Sequence, residues 1–124
     1  CALFLTSPAL YADWPKDHTR EIVLVNKCDK YDGFEVLVNF SPLPDQWYVA
    51  GWYRVEPGKR IRLLRTGLRL QHRDNAALYV YSRNFARTRE VAGDLGKNYE
   101  GKHYKFAKVP RTFHGDTVEV YLGC

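Results

Sequence analysis

Long apolar runs are scarce in this chain. Beyond residue 12 nothing approaches the ~18 consecutive apolar residues of a membrane-spanning helix, so a soluble domain is expected. Cysteine is sparse too: Cys1, Cys28 and Cys124 are all there is. Signatures of catalysis are missing. No His-Glu-x-x-His occurs, and His18, His72, His103 and His114 show no i, i+2 or i, i+4 pair, so no metal site and no cofactor are expected. Neither a glycine-rich phosphate loop nor a Gly-x-Ser-x-Gly elbow is found, which removes the usual nucleotide-binding and serine-hydrolase readings. Asp94 and Glu100 form no carboxylate pair. There is no repeat and no low-complexity tract.

What is present begins with Cys1-Ala-Leu-Phe-Leu-Thr-Ser-Pro-Ala-Leu-Tyr-Ala12. An apolar run breaks at Ser7-Pro8, small residues follow at Ala9 and Ala12, and charge starts at Asp13. That order fits the end of a secretory leader. Residues 1–12 are therefore read as a signal-peptide remnant and residues 13–124 as one β domain, periplasmic or secreted. A buried N-terminal strand and a lipid anchor on Cys1 are the alternatives. In an oxidising compartment Cys28 and Cys124 would form one disulfide. The loop it closes is long, so the chain-entropy gain is ~4–5 kcal/mol at most.

Hydrophobic residues make up 45% and aromatics 15% of the chain, which excludes a disordered polymer. The net charge is +5, and it is unevenly placed. Lys59, Arg60, Arg62, Arg65, Arg69, Arg73, Arg83, Arg87 and Arg89 crowd one stretch in which Asp74 is the one acid before Glu90. Arginine suits bidentate contact with phosphate or carboxylate; the plainer reading is a solvated strand face that guards an edge. Arg60 and Arg62 alternate with Ile61 and Leu63, and Arg69 and Arg73 with Leu68, Leu70 and His72. If the two segments pair, the four form one basic strip with Arg54 at its edge.

Short alternating segments separated by turn residues predict an all-β fold: an antiparallel β-sandwich or open barrel of about eight strands. Strands are expected near 21–26, 34–40, 46–55, 60–64, 77–82, 103–109 and 117–122, with a return segment at 68–72. Asp32-Gly33, Pro57-Gly58 and Gly115-Asp116 supply turns. Ser41-Pro-Leu-Pro-Asp45 reads as a loop, because proline cannot join a central ladder. Phe85 to Gly93 has helix-like spacing and would hold at most one short helix. Asp94 to Gly101 reads as an exposed loop. Period-two recurrence nominates Val23, Val25, Val36, Val38, Trp47, Tyr53, Tyr79, Tyr81, Val118 and Val120 as core.

The densest signal is Trp47-Tyr-Val-Ala-Gly-Trp-Tyr-Arg-Val-Glu-Pro-Gly-Lys59. Alternation puts Trp47, Val49, Gly51, Tyr53 and Val55 on one face and Tyr48, Ala50, Trp52 and Arg54 on the other. Trp52 and Tyr48 beside Arg54 would make an aromatic platform for a sugar or a base; packing of the rings in a core is the plainer reading. Gly51 leaves room for close approach of a chain or ligand. With Val25-Asn-Lys-Cys28 before it and Ala77-Leu-Tyr-Val-Tyr81 after it, the run resembles the family of small bacterial exported domains known as domain of unknown function 1036. The resemblance covers roughly residues 22–81 and implies a periplasmic or secreted β domain without an assigned activity. Many members carry a cysteine soon after the Pro-Gly; here Lys59-Arg60 stands there, so the family's cysteine pairing is not carried over.

The first functional reading is a non-enzymatic exported domain that binds an anionic partner. That partner is an anionic polymer, lipopolysaccharide or an acidic protein surface. The binding residues would be Arg54, Arg60, Arg62, Arg69, Arg73, Trp52 and Tyr48. The second is a small secreted hydrolase or ribonuclease-like toxin, which needs His72, His103 and His114 to converge on a phosphate as acid and base. A third, inhibition of secreted lysozymes, fits the size and the disulfide but not the charge, because lysozymes are typically basic and like charges repel.

Overall fold

A computed structural model describes residues 18–65 and 68–122, without the side chains of residues 65, 68 and 69. Residues 1–12, read above as the remnant of a leader, and Cys124 lie outside the described residues. Within them the chain is all-β, and no helix is present.

Two sheets face one another. The first is built on β1 (Thr19–Asn26). One edge of β1 pairs in parallel with β13 (Thr117–Leu122), Ile22 opposite Val118 and Asn26 opposite Leu122. β12 (Arg111–His114) closes that side as a hairpin with β13. The other edge takes two short strands end to end: β4 (Arg60–Arg62) against Val23 to Val25, and β7 (Gln71–Arg73) against Thr19 to Glu21. Between these two, β5 (Leu64–Arg65) and β6 (Leu68–Arg69) form a small separate ladder.

The second sheet runs β10-β11-β8-β2-β3. It is built on β2 (Phe34–Leu43), flanked by the edge strand β3 (Gln46–Val55) and by β8 (Tyr79–Asn84). β11 (Lys102–Lys108) joins β8 through Ala107 and Lys108 alone, then swings away with its hairpin partner β10 (Leu95–Tyr99). β9 (Glu90–Val91) adds a short rung to β8. The sheet curls until its two edges nearly meet: the Tyr99 hydroxyl on β10 donates to the Gly51 carbonyl on β3 at 2.7 Å. The result is a half-barrel packed on the first sheet.

This curl creates two apolar layers. Ile22, Leu24, Phe34, Val36, Val38, Val55, Leu63, Leu70, Val80, Val118 and Val120 fill the space between the sheets. Leu37, Tyr81 and Phe106 form a second cluster inside the half-barrel, with Val49, Trp52, Tyr79, Leu95, Tyr99 and Tyr104 packed against it. β2 is therefore apolar on both faces, and its sequence alternates poorly for that reason.

Four expectations need correction. Trp47 is not core: it is 37% exposed. Partners run Val36 to Tyr53 and then Val38 to Ala50, so β3 carries one extra residue at Gly51-Trp52. A bulge reverses the facing of every residue beyond it. Tyr48, Ala50, Tyr53 and Val55 therefore share the inter-sheet face, while Trp47, Val49 and Trp52 look into the half-barrel. The nominated Tyr53 and Tyr79 are half-buried. Secondly, Phe85 to Gly93 is not helical. The Asn84 side chain accepts from the Thr88 and Arg89 amides at 2.9 and 2.7 Å and closes a tight loop there. Thirdly, Asp94 to Gly101 is largely strand β10. Glu100 and Gly101 both take positive φ, the geometry of a tight hairpin turn. Lastly, Pro42 stands inside β2, tolerated because β2 pairs with β8 no further than Asn39.

Candidate functional site

The arginines nominated from the sequence do not make one strip. Arg60 and Arg62 do leave the same face of β4, but acids of the neighbouring strands meet them. Arg60 lies 2.5 Å from Glu119 and Arg62 lies 2.7 Å from Glu21. The Tyr121 hydroxyl also donates to Glu119 at 2.6 Å. That bond and Arg60 hold the Glu119 carboxyl below the ordinary range. These four charges sum to zero. Arg73 sits at the far end of β1 and donates to the Ser41 hydroxyl at 3.1 and 3.2 Å. Arg69 is on β6, and its side chain is outside the described residues. Because β4 and β7 lie end to end along β1, residues 60–62 and 71–73 cannot stack into adjacent rows.

Arg54 belongs to a different group, on the open face of the half-barrel. Glu35 on β2 has Arg54 on β3 and Arg83 on β8 as its register partners. Both guanidiniums reach its carboxylate, at 3.5 and 3.1 Å, and Arg87 from the following loop approaches to 3.6 Å. Three guanidiniums thus share one carboxylate. Arg54 is largely solvent-exposed, at 62%. Its guanidinium lies 3.9 Å from the centre of the Phe85 ring, and that of Arg83 lies 4.1 Å from the Trp52 ring. Contacts of this kind hold a cation flat on a ring and leave its edge free for an anion.

The interior next to this cluster is aromatic. Trp52 meets Tyr104 edge-on at 5.4 Å and Tyr81 at 6.1 Å. The buried Tyr81 hydroxyl donates to Glu90 at 2.6 Å. Burial first, and that bond second, push the Tyr81 hydroxyl up to about 12. It is therefore a fixed donor and no general base near neutral pH. Tyr48, expected beside Trp52, is on the opposite face: it packs against Phe40 and donates to Gln46. Gly51 does serve close approach, by the chain itself. A Cβ there would stand 2.5 Å from Leu37 Cδ2 and 2.8 Å from the Val36 carbonyl.

The histidines do not converge. His72 is buried on β7 with both ring nitrogens engaged. Nδ1 accepts from the Ser41 amide at 2.9 Å, and Nε2 lies 2.8 Å from the Ala76 carbonyl. Burial, with Arg111 and Arg73 nearby, lowers its pKa to about 4. It is a neutral structural clamp. His114 is on β12, with β13 and β1 between it and β7. His103 is on β11 in the other sheet, bonded to Asn98 and covering Gly96. Among the described residues no group of three His, Cys, Asp or Glu could hold a metal. No helix among them is long and apolar enough to cross a membrane.

Sequence reasoning selected Arg54 and Trp52 but missed Glu35, Arg83, Phe85 and Arg87. The signal available was weak: Arg83 and Arg87 stand in the basic stretch, but only strand order brings β8 beside Glu35. No protein-family model, curated protein or solved structure matches the chain.

Proposed function

We propose that the protein is an exported, non-enzymatic domain that binds an anionic partner at the cell envelope through the open end of its half-barrel. One observation carries this reading: Arg54, Arg83 and Arg87 gather on the single carboxylate of Glu35, so these four residues carry two positive charges in excess beside Trp52 and Phe85, with Glu90 and Asp32 at the margin. A phosphate- or carboxylate-bearing polymer fits that cluster better than the neutralised pairs on β4. Export and a disulfide belong to the same proposal. The parallel register that sets Asn26 opposite Leu122 supports the pairing, since in sequence each cysteine follows its strand's last paired residue by two. The run Gly51-Trp-Tyr-Arg-Val-Glu-Pro-Gly58 supports placing the chain with the domain of unknown function 1036 family.

The test is a binding isotherm against lipopolysaccharide and against a DNA oligomer at two salt concentrations. Binding should weaken with salt. Arg54→Ala with Arg87→Ala should lower affinity at least ~10-fold, about 1.4 kcal/mol. Arg60→Ala with Arg62→Ala should change it little. Equal losses from both pairs, or no binding at low salt, would refute the assignment. For export and the disulfide, mass spectrometry of protein from its native host should find an N-terminus near Asp13 and a mass two hydrogens below the reduced form.

A further inference from the structure

Inside the half-barrel, ~13 Å along β2 from Glu35 at ~3.3 Å per residue, lies Asn39. It stands in register between Val49 and Tyr79 and is 1% exposed, yet its Oδ1 has no hydrogen-bond partner among the described residues. A buried polar group left unpaired costs about 1–3 kcal/mol, and such groups are rare enough to need a reason. The surrounding sheet supplies none. The amide borders a cavity of about 190 Å³ whose other walls are Trp47, Tyr79, Leu95 and Lys97.

Each wall limits the occupant. The volume falls below the ~300–1,000 Å³ of sites for drug-sized molecules, so a single ring fits. Trp47 and Tyr79 meet at 65° with centres 6.1 Å apart, and His72 flanks Trp47 at 6.0 Å. The indole is thereby held in place with one side open. Rings inclined at 65° do not form a parallel slot for a flat aromatic guest. They form a corner that takes the apolar C–H face of a saturated ring, whose hydroxyls stay in water. Asn39 Oδ1 requires a donor. Lys97 is half-buried, makes no ion pair with a described residue, and requires an acceptor or anion. A second cavity, of about 400 Å³, shares Tyr79 and Leu95 and continues past Gly93, Phe106 and Lys108. It leaves space for a next unit.

We propose that the cavity at Asn39, Trp47, Tyr79 and Lys97 is a binding site for one pyranose ring of an acidic sugar. A ring hydroxyl would donate to Asn39, its carboxylate would pair with Lys97, and its apolar face would rest on Trp47. The site does not depend on the basic cluster at Glu35 and can be tested apart from it.

The experiment is an NMR titration of the intact protein that follows the Trp47 indole N–H. The probes are glucuronate, a short oligomer of it, glucose and benzoate. Glucuronate should give a saturable shift, and glucose should bind at least ~10-fold more weakly. Lys97→Gln should bring the two sugars level. Asn39→Leu should abolish both while its thermal midpoint holds or rises, because the unpaired amide is gone. Should Asn39→Leu fail to fold, the Lys97→Gln comparison carries the test alone. Arg54→Ala with Arg87→Ala should bind glucuronate as the wild type does. In that double variant a tighter oligomer would assign a sugar within a chain, and equal affinities the free sugar. The proposal is overturned by the absence of any saturable shift, by benzoate binding more tightly than glucuronate, or by variants at Lys97 and Asn39 that bind unchanged.

Discussion

His72 couples the packing of the molecule to pH. Its neutral ring accepts from Ser41 and is bonded to Ala76, and its pKa falls from 6.5 to about 4 on folding. An unfolded chain takes up the proton first as pH drops, so stability is full above pH 6.5 and declines as pH falls toward 4. At ~1.4 kcal/mol per pKa unit the loss has an upper bound of about 3 kcal/mol. Urea unfolding at pH 7 and pH 4.5 should show that decline, and His72→Gln should flatten it; an unchanged slope would assign the pH dependence to other groups. Gly51 is a second residue fixed by its surroundings. Gly51→Ala should cost about 1–3 kcal/mol, because the added methyl meets Leu37 and the Val36 carbonyl with no room to relax. A shift in the urea midpoint measures it.

The bulge in β3 governs the element that carries the aromatic run. Strict alternation places Trp47 between the sheets, where Trp47→Ala would cost ~3–5 kcal/mol. With the facing reversed beyond Gly51, the ring is partly solvent-exposed, and truncation should cost less than ~2 kcal/mol. Phe34→Ala, at a fully buried position between the sheets, should cost ~3–5 kcal/mol. Comparing the two by chemical denaturation tests the assignment of faces, and a larger loss at Trp47 would reverse it. Strand positions were legible in the sequence because Val23, Val36, Val38, Val118 and Val120 recur at period two and Asp32-Gly33 and Pro57-Gly58 mark the turns. The bulge was not, since one extra residue leaves composition and turn signals unchanged. Strand β10 was hidden for a related reason. Its apolar residues Leu95 and Tyr99 flank Lys97, and polar alternation resembles a loop until the curl gives it an interior to face.

At the scale of the whole molecule, curling the second sheet makes a cavity that a flat sandwich would lack. Tyr99 joins the two edges through its hydroxyl, so Tyr99→Phe should lower stability by about 1 kcal/mol. It should also speed hydrogen exchange in β10 and β11 more than in β1; uniform acceleration would mean the hairpin is no separate unit. The site at Glu35 was only half readable from sequence, because a charge cluster assembled from β2, β3, β8 and a loop depends on strand order. Local pattern reports which residues alternate and leaves open which strands become neighbours.

The parallel pairing of β1 with β13 bears on how the chain reaches this state. Its central first strand waits for its last one: Ile22 finds Val118 only after nearly all the intervening sequence has been made. Contacts of such long sequence separation must close a large loop before they return any energy, and proteins dominated by them fold slowly. A nascent chain lacking residues 117–122 has β1 with one edge bare, so the first sheet cannot complete until those residues are made. During that interval the bare edge of β1 offers unpaired backbone groups to any strand that reaches it, an exposure of the kind that chaperones cover.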